Sequence, residues 1–143
     1  MKCKTSELTG ALLNRAAATA TGLTADTALD FGLGCPDWLE RFRPSESWAH
    51  GGPIIERERI SLDFGSDSGE IFWMGHCFAK WEGVLILKER TLGGLSSNAA
   101  RKSGLPVIAL DQLPPDGNGV GPTPLVAAMR AFVSLKMGEE IDL

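Results

Sequence analysis

A chain of 143 residues, 43% hydrophobic and 22% charged, has the size and composition of one soluble domain able to bury its own core. Fourteen Lys and Arg stand against 18 Asp and Glu, and the charge is evenly spread, with 7 basic and 8 acidic groups in residues 1–60. That balance speaks against a nucleic-acid binder, whose mark is a basic patch, and the longest apolar run, residues 84–87, is too short to span a bilayer.

From the N-terminus, Thr5 or Ser6 is placed to cap a first helix, with Glu7 in its first turn and Leu8, Leu12 and Ala16 on one face. Gly22 is a natural stop. Residues 24–30 suit a short second turn or helix. Residues 31–53 are rich in Gly and Pro yet hold Trp38, Phe42 and Trp48, which predicts an ordered loop pinned to the core. Residues 54–64 read as a strand. Its face with Ile54, Ile60, Leu62 and Phe64 would also hold Glu56 and Glu58, an anomaly that calls for a bulge or for partners. Residues 65–69 form a turn, so residues 71–81 complete a hairpin. Short strands follow at 84–88 and 107–110, separated by a Gly/Ser/Asn-rich stretch, 91–104, expected to be a mobile loop or an insertion. Residues 113–121 (LPPDGNGVG) look like a rigid connection. The last helix is the clearest: Thr123 caps it, Pro124 opens it and Gly138 ends it. Leu125, Ala128, Met129, Phe132 and Val133 make one apolar stripe along it.

Few groupings of residues suggest chemistry. Cys35, His50, His76 and Cys77 are ligand types for zinc, but they lack paired spacing, and adjacent His76 and Cys77 on a strand would point to opposite faces. No metal or other cofactor is therefore expected. No GxSxG elbow or phosphate-binding glycine loop occurs, so no catalytic residue is assigned. The run Gly119 to Pro124 leads into a helix N-terminus, where capping explains it better than anion binding. The segment of most interest runs from Gly51 to Arg59. Its glycine pair permits close backbone approach or a positive φ, Glu56 and Glu58 could act as acid and base groups or hold a ligand, and Arg57 or Arg59 could clamp an anion. A solvated strand end with ion pairs explains the same residues more simply. Cys3, Cys35 and Cys77 are odd in number and scattered, which predicts reduced thiols inside a cell; the polar N-terminus predicts no secretory leader.

Residues 45–62, above all Trp48-Ala49 and Gly51-Gly52-Pro53-Ile54-Ile55-Glu56, resemble the central motif of the NinX proteins of lambdoid phages and prophages. Residues 121–138 (GPTPLVAAMRAFVSLKMG) are similar to the C-terminal signature of that family, and Met1-Lys2 with residues 5–10 resembles its opening. The matches are collinear and cover about a third of the chain; residues 65–120 between them are longer and more divergent than the family pattern. The resemblance implies a phage-type domain of unknown function working in the bacterial cytoplasm, with no catalytic residues to carry over. It implies shared positions at Trp48, Gly52, Pro53, Glu56, Pro122, Thr123, Pro124, Met129 and Arg130. Packing, turns or caps account for most of these, but not for Glu56 and Arg130. An ion pair between them would resolve the carboxylate anomaly.

The expected fold is a single α+β domain, residues 1–143, with a small, mainly antiparallel sheet and the N- and C-terminal helices packed on one face. The expected function is that of a non-enzymatic accessory protein acting through protein–protein contacts, as a homo-oligomer and with a host or phage protein. The competing expectation is a small-molecule site lined by Trp48, Gly51, Gly52, Glu56 and Arg57. Nucleic-acid binding is the weakest class, because only Arg90, Arg101 and Lys102 gather near the expected loop.

Overall fold

The structure is a computed structural model that describes residues 2–34, 36–77, 85–87, 107–109 and 117–143. In chain order its elements are β1 (Lys2–Lys4), a 3-10 turn (Thr5–Glu7), α1 (Gly10–Thr21), a second 3-10 turn (Thr27–Phe31), α2 (Trp38–Arg41) and α3 (Trp48–Glu58). Then follow β2 (Ser61–Asp67), β3 (Glu70–Cys77), β4 (Leu85–Leu87), β5 (Val107–Ala109), β6 (Gly117–Gly121), α4 (Pro124–Met137) and β7 (Glu140–Asp142). The central sheet is antiparallel in the order β2-β3-β6; β1 pairs with β7 antiparallel, and β4 with β5 in parallel. This is the α+β architecture expected of the chain. The expected loop at 91–104 lies outside the described residues, as does the end of the second hairpin strand, 78–81.

Helix α4 forms as its sequence dictates. Thr123 accepts a hydrogen bond from the Val126 N–H at 3.2 Å, and Pro124 fills the first turn. Its sheet side is built of small residues, and so is the sheet beneath. Gly75 of β3 and Gly117, Gly119 and Gly121 of β6 face it. A Cβ on Gly75 would come within 2.8 Å of the Ala127 carbonyl, and one on Gly119 would strike that carbonyl and the Ala131 N–H. The run expected to be a connection is thus the third strand, at least over residues 117–121. Its alternation is period two, buried glycine against exposed Asn118 and Val120, with glycine in the place of the usual apolar residue.

Helix α1 packs on α4 through Leu13, Ala16 and Ala17, all fully buried. The expected face is rotated: Leu12 is 44% exposed, because Leu8, buried but ahead of the helix in extended backbone, does not share the helical period. The Thr5 hydroxyl donates to the Gly138 carbonyl at 2.7 Å and the Thr5 N–H to that of Glu139 at 2.8 Å. These bonds bring the two ends of the chain together as β1 and β7. Gly22 ends α1 in the left-handed conformation, as expected.

The largest correction concerns residues 54–64. Residues 48–58 are helical, and the strand begins only at Ser61. Gly51 and Ile54 are buried on one side of α3, with Ile55 and Glu58 partly buried beside them, a spacing of three and four that fits a helix. Gly51 sits so close to Pro44 and Leu125 that a Cβ would strike the Pro44 carbonyl. Pro53 lies inside the helix at an exposed position, where its missing N–H meets solvent rather than core. Arg59, at φ 51°, then turns the chain out of the helix, with the Ile60 N–H returning to the Ile55 carbonyl at 3.0 Å. The carboxylate anomaly disappears with this change of period. Arg130 is used elsewhere: its guanidinium donates to the carbonyls of Leu8, at 2.9 Å, and Val120. Among the described residues no ion pair joins it to Glu56, which is exposed.

Two predictions follow from this packing. Gly119→Ala is expected to cost about 3 kcal/mol by overpacking, whereas Gly52→Ala, with nothing within 4 Å of its Cβ, is expected to be neutral or stabilising by up to about 1 kcal/mol. Arg130→Met leaves two carbonyls without a charged donor and is expected to cost about 2 kcal/mol, while Glu56→Gln stays within about 0.5 kcal/mol. Urea unfolding of the four variants measures all of these, and equal losses in Arg130→Met and Glu56→Gln would restore the ion pair.

Candidate functional site

The six residues singled out in the sequence differ sharply in setting, although α3 carries five of them. Trp48 opens the helix with 56% of its surface exposed. Gly51 is consumed by the contact with Pro44 and Leu125, and Gly52 faces open space. Glu56 points to solvent. Arg57 bonds Glu58 through Nε at 3.2 Å, and Glu58, whose side chain is only 12% exposed, also meets Lys136 of α4 at 3.6 Å. Glu58 is therefore the carboxylate that ties α3 to α4, a role the strand reading hid. Arg130 lies across α4 at the edge of β6, and desolvation by partial burial lowers its pKa.

The two histidines are held apart by the fold. His50 on α3 stacks on Phe42, with ring centroids 5.7 Å apart, and its Nδ1 accepts from the Arg43 N–H at 3.0 Å. That bond places the proton of the neutral ring on Nε2, and desolvation holds the His50 pKa below the usual histidine value. His76 sits on β3 with its Nδ1 3.0 Å from the Asn118 Oδ1, and Cys77 beside it is buried on the opposite face. Cys35 lies outside the described residues. Among those described, no group of three His, Cys, Asp or Glu side chains could hold a metal ion.

Three clefts are present among the described residues. One of about 600 Å³ lies along the edge of β6 beside Lys4, Ser6 and Glu140. A second, about 480 Å³, opens between α1 and residues 39–46, and a third, about 400 Å³, lies beside β1. Trp48, Gly51, Gly52, Glu56, Arg57 and Arg130 line none of the three.

The exposed apolar side chains are more ordered in their placement. Gly51 touches Leu125 at the start of α4, and Glu58 pairs with Lys136 near its end, so α3 runs parallel to α4 and Trp48 sits at the N-terminal end. Phe64 pairs with Trp73, and Trp73 with Gly121, just ahead of α4. Phe64 (62% exposed) and Ile71 (67% exposed) therefore project at that same end, on the face of the hairpin that carries α4 farther along. The Phe64 and Trp73 rings are 5.7 Å apart. The alternation of residues 60–64 puts Phe64 on the apolar face, but α4 begins too late to cover it.

No helix among the described residues is long and apolar enough to cross a membrane. No curated protein matches the chain. The family described as Bacteriophage P22, NinX matches residues 4–92, which span α1, α2, α3 and the β2–β3 hairpin; residues 121–138 lie beyond the matched stretch. With well over half of its length matched, the chain belongs to the bacteriophage NinX family.

Proposed function

We propose that this phage-type protein is a non-enzymatic accessory protein that acts through protein–protein contacts and associates with copies of itself, and with a host or phage protein, in the bacterial cytoplasm. The observation that carries the reading is the set of large apolar side chains at one end of the fold: Trp48, Phe64 and Ile71, each more than half exposed, beside the partly buried Trp73. Large exposed apolar side chains gathered at one end mark contact sites, and Trp and Phe are the residues that anchor them. The net charge of −4 favours a protein partner over nucleic acid, and the three scattered cysteines, odd in number, suit a reducing compartment.

Native mass spectrometry tests this. The expected result is a species at an integer multiple of the 15.3 kDa chain. The Phe64→Ser/Ile71→Ser double variant is expected to shift it to the single-chain mass while its thermal unfolding stays within a few degrees. A wild-type chain that is monomeric at micromolar concentration overturns self-association. Loss of folding, rather than of association, in Trp48→Ala overturns the place given to that side chain.

A further inference from the structure

We propose that the cleft between α1 and residues 39–46 binds a small zwitterion with an apolar side chain, of the class of the free apolar amino acids. The argument begins with Asn14. It lies in an otherwise alanine-rich helix, is 6% exposed, and lines this cleft. Its Oδ1 accepts two hydrogen bonds from Ser45, one from the N–H at 3.0 Å and one from the hydroxyl at 2.7 Å. A backbone N–H can only donate, so the amide orientation is fixed and Nδ2 must turn the other way. Its two N–H donors have no acceptor among the described residues. Buried donors are as a rule paired, and the residue that carries these lines a cavity.

The rest of the lining supplies what a zwitterion needs. Ala11, Asn14 and Arg15 fall at spacings of three and four on α1 and form one wall. Leu39 gives an apolar surface opposite, backed by the buried Phe42, whose ring packs on Phe31 with centroids 5.1 Å apart. Four charged groups line the cleft. Arg43 and Glu46 lie 3.8 Å apart and balance each other, whereas neither the Arg15 guanidinium nor the Glu40 carboxylate has an ion-pair partner among the described residues. One unpaired cation, one unpaired anion and a set of carbonyl-seeking N–H groups beside an apolar wall match a carboxylate, an ammonium and a side chain on one small molecule. A simple fatty acid would leave Glu40 unanswered and facing a like charge. The volume, about 480 Å³, lies in the range of small-molecule sites.

The test is an ¹H–¹⁵N titration of the full chain with L-leucine, read at the Asn14 side-chain NH₂. The expected result is a saturable shift of that pair of signals. Arg15→Gln and Glu40→Gln alter exposed side chains, so they keep the fold, which the dispersion of the same spectrum verifies. Each is expected to weaken binding about tenfold. With 4-methylpentanoate, which has no ammonium, binding is weaker and Glu40→Gln no longer weakens it. A folded protein whose Asn14 NH₂ shows no saturable shift overturns the proposal, and so does saturation indifferent to both substitutions. Asn14→Asp is unsuitable as the sole probe, because Asn14 also holds Ser45.

Discussion

The backbone of α4 lies directly on the backbone of β6 and β3, and this contact exists only because both surfaces are nearly bare of side chains. Gly75, Gly117, Gly119 and Gly121 present no Cβ, and Ala127 and Ala131 fill the shallow space opposite them. Close approach of this kind gives many dispersion contacts per residue and leaves no room for adjustment. Once α4 is seated, its other faces are committed. Met129, Phe132 and Val133 become the centre against which α1 and α3 close, and Arg130 emerges at the edge of β6 where the Leu8 and Val120 carbonyls wait. The end of α4 at Gly138 then meets Thr5, and the chain termini pair.

What was legible in the sequence follows from how local each determinant is. The caps and stripe of α4 lie within sixteen residues of chain, and the Ser68-Gly69 turn, with both residues at positive φ, lies between strands of clear β propensity. Residues 54–60, Ile-Ile-Glu-Arg-Glu-Arg-Ile, fit either period. Gly-Gly-Pro before them argues for a break, and only the close approach of Pro44 and Leu125 gives Gly51 its reason to be glycine within a helix. Strand β6 was obscured by the same economy of side chains: its buried face has none, so no apolar alternation announces it. The β1–β7 pair is invisible to any local reading, being two three-residue strands from opposite ends of the chain.

Site residues were legible in proportion to their peculiarity. Trp48 stands out as a large aromatic among glycines, and it is exposed. Glu58 stands out only as part of a misread strand, and Asn14 does not stand out at all. An acidic residue amid alternating charges reads as surface until α4 places Lys136 beside it, and an asparagine within an alanine helix reads as a minor loss of propensity until Ser45, 31 residues away, claims its oxygen. Both become informative only through a tertiary partner.

The stretch that matches the NinX family ends before the element that completes its core. Residues 4–92 hold α1, α3 and the hairpin, yet the buried faces of Leu13, Ala17 and Ile54 and the bare face of Gly75 close on α4, beyond residue 92. The matched stretch therefore cannot bury its own apolar surface unaided, and its helices would stand as half-covered amphipathic segments. The two surfaces proposed to act are positioned differently by this arrangement. The aromatic end depends on α4 through α3 and β3, and on where α4 starts, since a helix begun one turn earlier would cover Phe64. The α1 cleft depends on α4 through both walls, α1 directly and residues 39–46 by way of Gly51 and His50 of α3, and the walls are joined by Asn14 and Ser45. A change at the start of α4 is thus felt at both surfaces, through the cover of Phe64 at the one and through Leu125, Gly51 and Pro44 at the other.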